Sequence, residues 1–104
     1  MKIIEELSEM ISDEISDAEK YAEKALECKD KNRSLADLFF ALSNEELSHM
    51  QRLHAETVKI IEAYRKSDGE PPAPMMAVYE YLHKKHIEHT GKVKAMQAMY
   101  KETP

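Results

Sequence analysis

Glu46 and His49 stand in a Glu-x-x-His spacing, and Glu14 lies well upstream in a segment of similar helical periodicity. On a helix, residues i and i+3 emerge on one side about one turn apart, so a carboxylate and an imidazole so placed can grip one cation. Mixed oxygen and nitrogen donors suit iron, manganese or zinc. The spacing alone is common, because acids such as Glu45 crowd the same segment. It gains meaning if the fold brings Glu14 level with Glu46.

The elements that must do this can be read from the breaks in the chain. The polar run Lys29-Asp30-Lys31-Asn32-Arg33 and the breaker from Ser67 to Pro74 leave three helical segments, near 3–28, 34–66 and 75–101. In the first, Ile4, Leu7, Ile11, Ala18, Tyr21 and Ala25 form an apolar stripe with Glu14 at one of its positions. In the second, Ser34 and Asp37 read as a capping box, and Leu35, Phe39, Leu42, Leu53 and Ile60 form a face interrupted by Glu46 and His49. A second row, Phe40, Leu47, Val58 and Ile61 with His54 among them, predicts a second packing partner, for which the third helix is the candidate.

The third segment has Pro74 near its first turn, and Tyr79, Leu82, Val93, Met96 and Tyr100 on one face with His86 and His89. Gly91, which costs about 1 kcal/mol relative to alanine, predicts a kink or local fraying.

Glu14 precedes the first turn by about 16–17 positions and Glu46 follows it by about 15–16, which at 1.5 Å per residue places them nearly level. A glutamate is almost never fully buried unless something pairs with it. Glu14, Glu46 and His49 are therefore the inward polar residues to explain.

Composition narrows the remaining classes. The 104 residues, 42% hydrophobic and 34% charged, with two glycines and no tryptophan, predict one all-α domain over 1–104. A net charge of -5 without a dense basic stripe argues against nucleic acid as a partner. No run approaches the ~20 apolar residues of a membrane span, and MKIIEELSEM carries acids where a secretory leader is apolar, so no membrane association and a cytoplasmic location are expected. Cys28, the single cysteine, is expected to be a small buried hydrophobe, and the seven methionines to fill gaps.

The stretch DEISDAEKYAEKALECKDKNRSLADLFFALSNEELSHMQRLH, roughly residues 13–54, resembles the ferritin-like superfamily, especially its rubrerythrin-like and encapsulated-ferritin-like branches. There, one helix gives a glutamate and the next gives Glu-x-x-His, and rubrerythrin-like first helices follow their ligand glutamate with a tyrosine, as Tyr21 follows Glu14 here. The resemblance implies that Glu14 is a bridging or capping carboxylate, Glu46 a bridging carboxylate and His49 an imidazole ligand. Tyr21 would be a hydrogen-bond donor behind the ligands.

A di-iron bundle needs this set twice. Glu80-Tyr81-Leu82-His83 repeats the spacing, but Glu80 lies on the far side from the third helix's apolar stripe, so the chain supplies half a site. The implied completion is a homodimer or higher homo-oligomer that closes a four-helix bundle and surrounds two iron ions with four carboxylates and two histidines. The resemblance further implies ferroxidase activity with O₂ or H₂O₂, with Glu14, Glu46 and His49 as the reacting centre. The alternatives are a rubrerythrin-like peroxide reductase, which would need an external electron donor because no CxxC pair is present, and a helical scaffold with a relic site. The tail MQAMYKETP does not resemble an encapsulin-targeting peptide, and His54, His83, His86 and His89 are expected to be satisfied interface histidines.

Overall fold

The computed structural model describes residues 1–102; Thr103 and Pro104, the end of the tail, lie outside the described residues. Helix α1 spans Lys2–Cys28. Its buried positions Ile4, Ser8, Ile11, Ile15, Ala18, Ala22 and Ala25 recur at alternating steps of four and three, the signature of one straight packing seam. Ile15 and Ala22 fill the centre of that seam, whereas Glu14 and Tyr21 are half-buried at its edge, which corrects the expected stripe by one residue. Isoleucine and alanine lose nothing polar on burial, and a carboxylate does.

Helix α2 spans Arg33–Asp68, and its N-cap is Asn32, whose side-chain oxygen accepts from the Leu35 amide at 3.1 Å. The Ser34–Asp37 capping box is therefore not what starts the helix. Asp37 instead pairs with Arg33 and accepts a short hydrogen bond from the Tyr100 hydroxyl. Gly69 ends α2 with φ +80°, a conformation glycine adopts without the steric cost of a Cβ.

Helix α3 spans Ala73–Glu102, its first turn closed by the Met76 amide on the Pro72 carbonyl at 3.1 Å. It runs on as helix through Gly91, next to which there is open space, so the expected fraying does not occur.

The chain folds as an up-down-up bundle measuring 55 × 19 × 18 Å. Helices α1 and α2 are antiparallel, with Ala25 packed near Ala36 at the turn and Ser43 bonded to Ala18 further along. Helix α3 is parallel to α1, since Ser12 meets His86, Glu19 meets His89 and Lys29 meets Tyr100.

Helix α3 approaches α1 much more closely than α2. It reaches α2 through side chains: Tyr100 stacks on Phe40 at 4.9 Å, Gln97 donates to Ser43 at 2.8 Å, and His83 stacks on His54 at 4.7 Å. The second row of α2 thus receives the third helix, as its periodicity predicts. The core formed by Ile11, Ile15, Ala18, Ala22, Leu47 and Val93 lies where all three helices meet.

Among the described residues no helix covers the other side of the hairpin. Ile3, Met10, Leu35 and Leu38 are exposed there by 43%, 53%, 37% and 52%, on the helix faces that also carry Glu14, Glu46 and His49. Cys28 is half-buried beside the Ala25–Ala36–Tyr100 cluster, not fully buried as expected. No described helix is long and apolar enough to cross a membrane.

Candidate metal centre

Burial of Ile15 and Leu47 in the seam sets their chain neighbours Glu14 and Glu46 at its edge, facing each other across the hairpin. Three residues before Glu46, the buried Ser43 hydroxyl donates to the Ala18 carbonyl at 2.7 Å and holds the two helices in register.

At that level His49 Nδ1 lies 3.5 Å from Glu14 Oε2 and 3.8 Å from Glu46 Oε1. One donor atom from each of the three residues lies within 4.8 Å of the others, and among the described residues this is the only such group of three. The His49 contacts are longer than an N–H···O hydrogen bond of about 2.7–3.2 Å, so the imidazole converges on the two carboxylates without hydrogen-bonding to either. Donors about 2.0–2.2 Å from a common ion sit roughly 3–3.5 Å apart, which this spacing approaches.

The electrostatics fit the same occupant. Glu14 Oε2 is buried with no hydrogen-bond partner, although the Glu14 side chain as a whole is 27% exposed. The Glu46 carboxyl is pushed up to about 7, first by its hydrogen bond with Glu14, then by burial and by Glu14's negative charge, with His49 opposing. Two carboxylates this close hold a proton between them because both cannot ionise cheaply. A cation placed among them would replace that proton and satisfy Oε2, so the residues fit a metal ion with oxygen and nitrogen donors.

A cleft of about 490 Å³ opens beside the cluster, lined by Glu14, His49, Arg52, Leu53, Ala55 and Glu56. Arg52 and Glu56 were not singled out by motif, yet they lie three and seven positions after His49 and so continue its helical row.

The other sequence candidates fall elsewhere. The Tyr21 ring stacks on Phe39 at 6.2 Å, and among the described residues its hydroxyl makes no hydrogen bond to Glu14, Glu46 or His49. Glu80 is exposed, and His83 stacks between His54 and Tyr79, outside the Glu-Glu-His cluster. His86 Nε2 lies 2.7 Å from the Ser12 hydroxyl, and His89 pairs with Glu19 at 3.2 Å.

Sequence reading missed the polar contacts inside the core. Ser43 and Gln97 are buried and joined to each other, and Glu19 gathers both His89 and Lys92. Their signal was the seam period itself, which places Ser43 in line with Ala36 and Leu47. No protein-family model, curated protein or solved structure matches this chain.

Proposed function

We propose that this chain is a ferritin-like, non-haem di-iron carboxylate protein that oxidises Fe²⁺, with its two-metal site assembled between two copies. The observation that carries the reading is the buried, unpartnered Glu14 Oε2 converging with Glu46 and His49 on one point. An unmet buried oxygen costs about 1–3 kcal/mol, a cost that a bound cation removes.

Glu14 and Glu46 supply the negative charge that holds the cations, and His49 supplies a neutral nitrogen. Glu46 gives up its proton as a cation enters. Two Fe²⁺ ions then pass one electron each to O₂, which takes up two protons and leaves as H₂O₂ beside two Fe³⁺. Iron is the substrate here, and Mn or Zn would bind the same donors without that turnover.

One chain offers two carboxylates and one imidazole, about half of what two ions require. The cluster lies on the uncovered apolar side of the hairpin, and two-fold pairing of that side would double the donor set and bury Met10 and Leu38. Peroxide in place of O₂, with an external electron donor, is the variant in which the reduced protein consumes H₂O₂.

Anaerobic calorimetric titration of the metal-free protein with Fe²⁺ tests the reading. Saturation near one iron per chain, lost in Glu46→Ala and His49→Ala, supports the dimer-built site. Absence of saturable binding overturns it and leaves a helical scaffold whose apolar face serves association alone.

A further inference from the structure

A second polar concentration lies on the α3 side of α2, away from the Glu-Glu-His cluster. Here, where α3 leans toward α1, a groove of about 450 Å³ remains between α2 and α3. His54, His83, His86, Lys94, Gln51 and Thr90 line it, and among its described lining residues there is no carboxylate. That is unusual in a chain with twenty acids and a net charge of -5.

The ring geometry separates the possible ligands. His54 and His83 stack with centroids 4.7 Å apart and planes 4° from parallel. A metal bound by imidazole lies in the plane of the ring, and two parallel, separated planes share no such point. His86 Nε2 is already engaged by the Ser12 hydroxyl at 2.7 Å. The stack therefore does not offer two lone pairs to one cation. Protonated, the same rings become donors on every nitrogen, beside the Lys94 ammonium, the Gln51 amide and the Thr90 hydroxyl.

We propose that this groove is an anion site for a phosphate group, recognised by His54, His83, His86 and Lys94. A phosphate accepts several charge-assisted hydrogen bonds at once and carries enough charge to hold neighbouring imidazolium groups together. The apolar wall contributed by Ile11, Met50 and Ile87 suits the organic part of a phosphate monoester.

The charges around the groove set its pH dependence. Helix α1 contributes Ile11 and Ser12, which carry no charge; α2 contributes His54; α3 contributes His83, His86 and Lys94. Burial and then the charge of His83 hold His54 below the usual imidazole range. Burial, followed by His83, His54 and His89, does the same to His86. His54 and His86 are thus held neutral at neutral pH, and an anion draws protons onto them. Binding takes up protons and strengthens as pH falls.

Titration of the full chain with inorganic phosphate and with phenyl phosphate, at pH 6 and pH 8 against chloride at matched ionic strength, tests this. We expect a Kd on the order of 1 mM or tighter at pH 6 and at least about tenfold weaker binding at pH 8. Tighter binding of phenyl phosphate identifies a monoester site, and equal affinities identify free phosphate. Lys94→Ala removes an exposed side chain that the fold does not need and should weaken binding about threefold or more, as should His83→Gln, while Lys101→Ala should change nothing. Glu46→Ala should also bind phosphate normally, so this site stands or falls separately from the metal reading. No saturable binding at pH 6, an equal response to chloride, or unchanged affinity in both groove variants overturns the proposal.

Discussion

Ser43 donates a 2.7 Å hydrogen bond from its buried hydroxyl to the carbonyl oxygen of Ala18, and Gln97 donates to the same hydroxyl from α3. One polar junction thereby ties all three helices at a single level, one turn from Glu14 and Glu46. Small alanines on both sides allow the close approach: Ala18, Ala22 and Ala36 are at most 2% exposed. Apolar seams tolerate sliding by a turn, and a buried hydrogen bond does not. Ser43→Ala strands the Gln97 amide and should cost about 1–3 kcal/mol in urea unfolding, with iron affinity reduced far less than by Glu46→Ala.

Glu14→Gln should stabilise the metal-free protein while destroying its metal site. The substitution removes one of two facing carboxylates and gives the buried position a hydrogen-bond donor. A gain of about 1 kcal/mol in thermal or urea unfolding is expected, together with loss of saturable Fe²⁺ binding. Glu80→Ala and His83→Ala should leave iron binding intact, because neither residue lies in the cluster. Equal loss in both sets would contradict the ligand assignment.

Metal binding should release more protons at pH 6 than at pH 8. Glu46 holds its proton up to about 7, so at pH 6 the entering cation displaces it, and at pH 8 the carboxyl is already ionised. Calorimetry in two buffers of different ionisation enthalpy reads the number directly. A proton count independent of pH would remove Glu46 from the ligand set.

Leu38→Glu and Met10→Glu should separate protomers without unfolding them. Both side chains are more than half exposed on the uncovered side of the hairpin, where a charge costs the monomer little and a buried interface much. Sedimentation should show a lighter species with unchanged helical circular dichroism and weakened iron binding. Unaltered mass in both variants would place the association surface elsewhere.

Glu19 supplies a pH-dependent part of the stability. Burial raises its carboxyl, but hydrogen bonds and charges from Lys92 and His89 outweigh that and hold it below the usual range. A lowered native value means the unfolded chain binds the proton more readily, so the contribution is present above about pH 4.5 and fades as pH falls through the native value. Glu19→Gln should therefore be less stable than the parent protein at pH 7, and the difference should shrink as pH falls below about 4.5. A difference that persists at low pH would assign the loss to packing.

Much of the fold was legible because it is local. Three helices and two breaks follow from periodicity, from the polar run around Asn32 and from Gly69 with its flanking prolines, each acting within a few residues. The cap was misplaced because Ser34, Asp37 and Asn32 are all competent, and Tyr100 reaching Asp37 from α3 is a distant event. The Glu46–His49 pair was legible as a property of one helix, and the level of Glu14 as a property of one hairpin.

Which side of the seam each residue took was decided only in three dimensions. Glu14 and Ile15, or Tyr21 and Ala22, are single 100° steps apart, and either member can complete a stripe on paper. The close fit of α2 selected Ile15 and Ala22, because burying a carboxylate or a phenol costs more than burying a methyl group. That choice moved Glu14 to the rim, where its oxygen meets Glu46 and His49. The lean of α3 toward α1, which leaves one hairpin face bare and opens the histidine groove on α2, likewise depends on contacts between residues seventy positions apart. The helices and the donor pair within one of them thus follow from interactions spanning a turn or two along the chain. The tertiary structure alone decided which faces were closed and which polar atoms were left to be satisfied, because burial is a property of the packed whole.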